Sequence, residues 1–280
     1  MRTALEGFEG GVKFGGTRIT NLRYADDTTL ICSSRVELID LLKRIKEASE
    51  EKHLLLNTKK TKIMVVDRER KSDEFVIDGQ QIEEVKQFEY LGSMINNSGD
   101  STTEIKRRLA IARTTVQGMS SIWKSRGLSI DLKVRLLRAT VFSIATYGCE
   151  SWAMTKNDRK RVDAFEMWCY RRLLRVTWKD RRTNSWILDK IGTSLTIRSG
   201  IMERKLKYFG HIVRKHGGVE KQILQGAMEG KRGRGRPPTS WTNDVKLVSN
   251  QGMQGATHLA SDRVRWRTLV KTTAALHSAT

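Results

Sequence analysis

The sequence predicts an α+β fold in which a small strand-rich part precedes a longer helical part. Two observations support this prediction. Between residues 17 and 95, short β-prone runs and turn residues surround one amphipathic helix. From residue 101 onward the apolar residues follow a helical spacing, and the two prolines, Pro237 and Pro238, come late in the chain. The length of 280 residues suits one large domain or two smaller ones.

The first predicted element is a hairpin in the context ITNLRY-ADD-TTLIC, with its turn in the run from Tyr24 to Asp27. The apolar residues that predict a half-buried hairpin are Ile19, Leu22, Tyr24, Leu30 and Ile31. Asp26 and Asp27 place two carboxylates side by side, which is unfavourable because like charges repel. A divalent cation removes that repulsion, and Mg²⁺ prefers carboxylate oxygens. The turn is therefore a candidate metal site for phosphoryl transfer, and the alternative is an ordinary solvated turn.

The next elements continue the α+β pattern. Ser34 and Glu37 have the spacing of a capping box, and the helix that follows places Leu38, Leu41, Leu42 and Ile45 on one face. Three strand signals come after this helix. They are a strand from about Lys62 to Val66, a hairpin around Asp78-Gly79, and a strand pair from Phe88 to Ile95.

The remainder of the chain reads as helical. Helices are predicted over roughly 101–124, 129–146 and 157–176, with Ser129 and Asn157 as N-caps. The stretch from Gly226 to Pro238 is rich in Gly and Arg, which is typical of a linker, and the residues beyond Ser249 show only weak patterning. We therefore divide the chain into residues 1–95, 96–225 and 226–280.

The charge balance is strongly basic. The chain has 52 Lys and Arg against 31 Asp and Glu, a formal net charge of +21 and a pI near 10.2. Such a field attracts polyanions, so nucleic acid is the leading partner and an anionic membrane surface the weaker one. A basic but inert protein is the remaining interpretation.

Other composition features concern the compartment. Three widely spaced cysteines, Cys32, Cys149 and Cys169, predict reduced thiols inside the cell, in the nucleus or the cytoplasm. The polar start of the chain does not resemble a secretory signal, and no apolar run is long enough for a transmembrane helix.

Three motifs, in this order, resemble the reverse transcriptases of non-LTR (LINE-type) retrotransposons. LRYADDTTLI resembles the palm motif with the metal-facing acids, LLLNTKKTKIMVV the palm motif that follows, and FEYLGSMI the primer-grip hairpin. The strings RRLLRVTWKDRRTN, LKYFGHIVR and GRGRPPTSW resemble the thumb and downstream region of such elements. The resemblance runs from about residue 12 to residue 270. It implies a partial polymerase palm followed by an all-α, thumb-like region.

The resemblance also implies roles for individual residues. Asp26 and Asp27 would hold Mg²⁺ or Mn²⁺ near a primer end, with Asp26 the firmer ligand, and Tyr24 would pack close to the primer strand. Lys60, or alternatively Lys62, would face the triphosphate and act as a general acid toward pyrophosphate. The primer grip would consist of Phe88, Tyr90, Leu91 and Gly92. The partners implied are a template–primer duplex of RNA and DNA and, in the intact enzyme, a deoxynucleoside triphosphate.

One element of the resemblance is missing. Two-metal nucleotidyl transfer needs a further carboxylate from another strand, which in the family lies upstream of the Asp-Asp turn. Glu6 and Glu9 are the acids before Tyr24, and they lie in a Gly-rich stretch without a strand pattern. We therefore expect a 5′-truncated polymerase that is inactive alone. The alternatives are a non-catalytic nucleic-acid-binding protein derived from a transposon and a relic without a selected function.

Two basic segments are candidate nucleic-acid contacts. Residues 156–182 contain ten Lys and Arg and four acids, and three tryptophans, Trp168, Trp178 and Trp186, lie in or near them. The tryptophans have two interpretations, core anchors or stacking platforms, and the first is favoured because Trp is mostly buried. The predicted contacts with nucleic acid on this segment are Arg171, Arg172 and Arg175. The second segment, with Arg232, Arg234 and Arg236, resembles an arm that binds the A·T minor groove, or is a flexible linker.

Overall fold

The computed structural model describes residues 5–14, 16–66, 75–77, 79–193, 195–224 and 240–276. These residues form two compact units, the first from the described part of 1–88 with 215–224, and the second from the remainder. The fold is α+β, as predicted, with small sheets in the first part of the chain and helices in the second. No helix among the described residues is both long and apolar enough to cross a membrane.

Short strands and one long helix build the first unit. Its strands are β1 (Val12–Phe14), β2 (Thr17–Ile19), β3 (Asn21–Tyr24), β4 (Asp27–Leu30), β5 (Lys62–Ile63), β6 (Phe75–Ile77) and β7 (Gln80–Glu84), and α1 covers Arg35–Glu50. β1 pairs with β2 and β3 with β4, both antiparallel. The order of the third sheet is β5-β7-β6, in which β5 runs parallel to β7 and β6 antiparallel to it. The predicted hairpin around Gly79 is thus the β6–β7 pair, while Asp78 lies outside the described residues.

The core of this unit is small. Leu42 of α1 packs with Ile63, Phe75 and Ile82 of the third sheet, and four partly buried apolar residues surround them. Leu41, Leu42 and Ile45 are buried, so the predicted apolar face of α1 is confirmed. Among the described residues, this core rests mainly on one helical face packed over one short sheet, so it contains few apolar contacts.

The start of α1 differs in detail from the predicted capping box. The Ser34 side chain accepts a hydrogen bond from the Glu37 N–H, as a cap should. The Glu37 carboxylate, however, accepts from the N–H groups of Gly11 (3.0 Å) and Ser33 (3.2 Å) and from the Ser33 hydroxyl. These bonds, that of Gly11 above all, lower the pKa of Glu37. Glu37 therefore fastens the beginning of the β1–β2 hairpin to the helix instead of closing the box.

The second unit is helical. The hairpin of β8 (Gln87–Tyr90) and β9 (Ser93–Asn96) leads into it, and the division between the units falls inside β8. Its helices are α2 (Thr102–Gly118), α3 (Ser120–Lys124), α4 (Ile130–Leu137), α5 (Ser143–Ala145), α6 (Lys156–Leu174), α7 (Asn184–Ile191), α8 (Ile197–Arg214), α10 (Thr242–Ser249), α11 (Met253–Ser261) and α12 (Arg263–Leu276), while the short α9 (Val219–Leu224) belongs to the first unit. A π-helical turn, Arg138–Phe142, joins α4 to α5.

Three predicted helices correspond to observed ones. The stretch 101–124 is α2 and α3, 129–146 is α4 with the π turn and α5, and 157–176 is α6. Ser129 caps α4 as predicted, but Thr155 and not Asn157 caps α6, in a capping box with Asp158. Helix α6 starts at Lys156, and the Thr155 hydroxyl is the oxygen that accepts from the Asp158 N–H.

The last part of the chain adds three helices that the sequence patterning did not predict. Helix α8 packs against α11 and α12. The centre of the Trp266 ring lies 5.3 Å from that of Phe209, and the indole N–H of Trp266 donates to the Leu206 carbonyl. Val245, Ala256 and Ala260 are fully buried there. All three cysteines are unpaired thiols, and the core of the second unit buries Cys149 and Cys169.

Candidate metal and nucleic-acid sites

The Asp-Asp turn is the tip of the β3–β4 hairpin. Tyr24 pairs with Asp27 across the strands, so Ala25 and Asp26 form a two-residue turn. Ala25 has a φ of +53°, and a positive φ at the first central position is the mark of a type II′ turn, which usually carries Gly there. The left-handed conformation costs a non-Gly residue about 1–2 kcal/mol. The hairpin therefore holds Asp26 in a tight, strained turn with Asp27 beside it.

The hairpin is more exposed than the sequence predicted. Ile19 is buried and Leu30 packs against the small core, but Leu22 is 43% exposed and Tyr24 is 65% exposed. The reason is that β3 and β4 pair only with each other among the described strands, so that no further strand covers this end. Asp26 and Asp27 are exposed as well.

The donors at the turn suit one hydrated cation. Among the described residues, no three His, Cys, Asp or Glu side chains gather into a metal-binding group. Two adjacent carboxylates suit the coordination preference of Mg²⁺, which retains several water ligands and binds one or two carboxylates together with substrate phosphates. The described residues thus fit a single weakly held Mg²⁺ and do not by themselves supply a two-metal centre.

The predicted catalytic lysine lies in a separate turn of the first unit. Asn57 shapes this turn, because its carbonyl accepts from the N–H groups of Lys60 (3.1 Å) and Thr61 (3.0 Å). The Lys60 side chain is exposed, whereas Lys62 forms an ion pair with Glu83 on the neighbouring strand. Of the two alternatives, Lys60 is therefore the lysine available to a ligand. Within the described part of the chain, no hydrogen bond or ion pair joins Lys60 to the Asp-Asp turn.

The predicted primer grip is a second tight hairpin. Leu91 (φ +48°) and Gly92 (φ +77°) lie between β8 and β9, and positive φ at both central positions is typical of a type I′ turn. Phe88 is 38% and Leu91 39% exposed, and Tyr90 is partly buried. The hairpin thus presents apolar side chains to solvent on a well-defined backbone.

Helix α2 holds the tip of this hairpin. The Gly92 carbonyl accepts from the guanidinium groups of Arg107 (3.1 Å) and Arg108, and the Tyr147 hydroxyl donates to the Leu91 carbonyl at 3.0 Å. The buried Glu104 carboxylate accepts from Arg108 at 2.6 Å and from the Met94 N–H at 2.9 Å. The position of the Leu91-Gly92 turn is therefore fixed by charged side chains of the helical unit. Sequence reasoning did not identify Glu104, Arg107 or Arg108 as its supports.

The three predicted nucleic-acid contacts on α6 differ in surroundings. Arg171 is partly buried and donates to the Arg182 carbonyl (3.2 Å) and to the Asn184 side chain (2.8 Å). Arg172 is exposed and lies over the Trp168 ring at 4.9 Å. Arg175 is exposed and ends the helix with a φ of +59°. Arg172 and Arg175 therefore present their charge to solvent, while Arg171 mainly anchors the loop after α6.

The tryptophans of this segment do not behave alike. Trp168 is partly buried between Phe165 and the guanidinium groups of Arg113 and Arg172. Trp186 is partly buried beneath Arg182. Trp178, in contrast, is 85% exposed, so the core-anchor interpretation is wrong for this residue. The sequence did contain a signal for this exposure, because Thr177 and Asp180 have the spacing of a capping box and so indicate a surface turn around Trp178. The second basic segment, with Arg232, Arg234 and Arg236, lies outside the described residues.

Comparison with known proteins bears on the first unit and on the chain as a whole. Residues 1–95 match the family described as reverse transcriptase (RNA-dependent DNA polymerase). An uncharacterised transposon-derived protein of Caenorhabditis elegans is 26% identical over 277 residues, an alignment that covers 93% of this chain and 98% of that protein. No solved structure gives a significant match.

The match spans the Asp-Asp hairpin, the Asn57–Lys62 turn and the β8–β9 hairpin. The resemblance to reverse transcriptases drawn from the three motifs is thus confirmed, and the first 95 residues are a reverse transcriptase-like segment. The chain as a whole is related to a transposon-derived protein of nearly the same extent.

Proposed function

We propose that this chain derives from the reverse transcriptase of a non-LTR retrotransposon and does not polymerise on its own. Residues 1–95 correspond in this proposal to the later part of the palm with the primer grip. Residues 96–225 correspond to the thumb-like region, and residues 226–280 to an Arg- and Gly-rich linker and tail.

The observation that carries the proposal is the Asp26-Asp27 turn at the tip of a paired hairpin, inside the segment that matches reverse transcriptases. When bound there, Mg²⁺ would stabilise the attacking 3′ oxygen and the leaving pyrophosphate. Asp26 and Asp27 would hold the ion, and Tyr24 would lie beside the primer strand. Lys60, with its exposed side chain, would meet the triphosphate.

The lack of independent polymerisation follows from the number of carboxylates. Nucleotidyl transfer with two metals draws on acids from more than one strand. The described residues offer two adjacent carboxylates at this turn and no third acid gathered beside them. We therefore infer that the turn binds one cation weakly and leaves the attacking oxygen without sufficient activation.

Primer extension tests this inference. The full chain is incubated with a primed RNA, the four deoxynucleoside triphosphates, and Mg²⁺ or Mn²⁺. The expected result is no extension with wild type or with Asp26→Asn. Templated extension by wild type and by Asp40→Asn, an exposed acid on α1, that disappears in Asp26→Asn would overturn the proposal.

Metal binding is tested separately from activity. Mn²⁺ broadens the NMR signals of nearby amides, so addition of Mn²⁺ should broaden those of Ala25 to Thr28 in wild type. In Asp26→Asn this broadening should be much weaker at the same Mn²⁺ concentration, because one of the two carboxylates is gone. Equal broadening in both proteins would contradict the role of Asp26.

A second candidate function is non-catalytic binding of nucleic acid. The observation that favours it is the position of the acids in residues 156–182. Asp158 and Glu166 are fully buried and Asp180 accepts hydrogen bonds from Thr177, whereas most of the basic side chains are exposed. Binding of this kind should persist in Asp26→Asn and after removal of divalent cations with EDTA. Binding that requires both Asp26 and a divalent ion would instead place the ligand at the turn.

A further inference from the structure

Trp178 is the most exposed of the seven tryptophans of the chain. Trp123, Trp152 and Trp266 are 2–3% exposed, whereas Trp178 is 85% exposed. Exposure of a ring of this size gives up the apolar burial that stabilises most tryptophans. A ligand that covers the indole would recover this apolar burial.

The loop that carries Trp178 has a defined conformation. Thr177 and Asp180 form a capping box, in which the Asp180 carboxylate accepts from the Thr177 N–H (2.6 Å) and hydroxyl (2.7 Å). The hydrogen bond from the Thr177 hydroxyl is the main cause that lowers the pKa of Asp180. A one-turn 3₁₀ helix, Trp178–Asp180, follows. The ring is therefore carried on a turn whose backbone is already ordered without a ligand.

Both ends of this loop are fastened to α6. The helix ends in a Schellman arrangement, in which the Val176 N–H donates to the Arg171 carbonyl and the Arg175 N–H to the Arg172 carbonyl. At the other end, the Arg171 guanidinium donates to the Arg182 carbonyl and to Asn184. The position of the ring relative to the helix is thus set from both sides.

The charges around the ring are positive. The exposed side chains of the loop include the cations Arg175, Lys179, Arg181 and Arg182. Asp180 is the acid among residues 175–182, and its carboxylate is turned toward Thr177. Lysine is depleted at the centre of protein–protein interfaces, whereas an exposed aromatic residue in a loop with several exposed cations is typical of a surface that binds single-stranded nucleic acid.

We propose that Trp178 is a stacking platform for an unpaired base, and that the cations of the 175–182 loop contact the flanking phosphates. The ligand is a single strand, since a base in a duplex has both faces covered by its neighbours. This inference rests on the proposed nucleic-acid binding of the chain and names the site and the form of the ligand. The sequence of the bases is not read by such a contact, because every base has a π face.

Fluorescence anisotropy with labelled oligonucleotides tests the proposal. The full chain is titrated with a single-stranded 12-mer and with a 12-mer of the same length in which the central positions are abasic. The second oligonucleotide keeps the phosphates and lacks the bases. The variants are Trp178→Ala, Trp178→Phe and Lys179→Ala, and the unfolding transition of each is compared with that of wild type.

The expected results separate stacking from charge. Trp178→Ala should weaken binding of the normal 12-mer about 5- to 100-fold and leave the abasic 12-mer unaffected, while Trp178→Phe keeps most of the affinity. Lys179→Ala should weaken both oligonucleotides and flatten the slope of log affinity against log salt by about 0.7.

Two other outcomes would overturn the proposal in distinguishable ways. The stacking role is wrong if Trp178→Ala binds each oligonucleotide as tightly as wild type does. It is also wrong if the substitution weakens binding of both oligonucleotides by the same factor. In either case wild type still binds both, so nucleic-acid binding stands. If wild type binds neither oligonucleotide at low salt, the proposed nucleic-acid binding itself fails, and the stacking proposal fails with it.

Discussion

The buried ion pair between Lys205 and Asp244 should be a main determinant of the stability of the second unit. The Lys205 ammonium is 1% exposed, lies 2.5 Å from an Asp244 carboxylate oxygen, and donates to the Trp152 carbonyl at 2.8 Å. The other oxygen of Asp244 accepts from Arg159 at 2.7 Å. These contacts join α8, α10 and α6, so the pair ties α10 to the two longer helices.

The perturbation is Asp244→Asn, which leaves the Lys205 charge buried without its counter-ion. Breaking one side of a buried pair destabilises a protein by about 3–5 kcal/mol, because the remaining charge is desolvated and uncompensated. Burial already lowers the pKa of Lys205, and loss of Asp244 should lower it further. The unfolded chain then binds more protons than the folded one, so the defect of Asp244→Asn should shrink as the pH rises from 7 toward 10.

Removal of both charges should restore most of the stability. The double variant Lys205→Met/Asp244→Leu leaves no unpaired charge in the core, and the partner Arg159 reaches solvent. We expect its free energy of unfolding to lie within about 2 kcal/mol of wild type, a margin that allows for the unsatisfied Trp152 carbonyl.

Urea unfolding of the full chain, followed by tryptophan fluorescence, measures these differences. The control is Glu203→Gln, which breaks the exposed pair of Glu203 with Lys207 on the same helix and should change the free energy by less than about 1 kcal/mol. If Asp244→Asn loses no more free energy of unfolding than the control, or if its loss does not depend on pH, the Lys205–Asp244 pair does not stabilise the second unit.

Three further predictions concern single side chains of the helical unit, each checked by urea unfolding. Burial raises the pKa of Glu166 to about 7 from an ordinary 4.5, so the ionised carboxylate destabilises the folded chain. This loss of stability is absent below pH 4.5, grows between pH 4.5 and pH 7, and amounts to about 3 kcal/mol above pH 7. Glu166→Gln should remove that pH dependence and be the more stable protein at pH 8, and an unchanged pH profile would contradict this. Arg175 ends α6 at a φ of +59°, a backbone conformation that favours Gly. Arg175→Gly should therefore raise the free energy of unfolding by about 0.5–1 kcal/mol, whereas Arg175→Ala should not. A lower free energy of unfolding in Arg175→Gly would refute the left-handed cap. Gly210→Ala should destabilise the chain despite the better helix propensity of Ala, because the new Cβ would lie 2.5 Å from the Trp266 ring, and a gain in stability would show that α8 and α12 do not pack this closely.

The parts of the fold that local patterns determine were predictable. The β3–β4 hairpin follows from alternation on both sides of a short turn, and α1 follows from the spacing of Leu41, Leu42 and Ile45. The order of the three motifs carried the assignment of the first 95 residues, since each motif by itself is short.

Features that depend on contacts far apart in the sequence were not predictable. The partial exposure of Leu22 and Tyr24 depends on whether another strand pairs with the hairpin, and alternation alone does not reveal this. The helices from α10 to α12 have short apolar faces, and their packing against α8 depends on pairs such as Phe209 with Trp266. The exposure of Trp178 contradicts the average behaviour of tryptophan, because a capping box and an Arg171 anchor hold the ring outward.

The proposed binding of nucleic acid by the helical unit should show in the salt dependence of its affinity. If the five exposed cations Arg172, Arg175, Lys179, Arg181 and Arg182 each neutralise one phosphate, log affinity for a single strand should fall against log salt with a slope of about −3.5. Neutralisation of three of them, in Arg175→Ala/Lys179→Ala/Arg181→Ala, should bring the slope to about −1.5. Affinity that does not change with salt, or the same slope in wild type and the triple variant, would show that these cations do not contact phosphates.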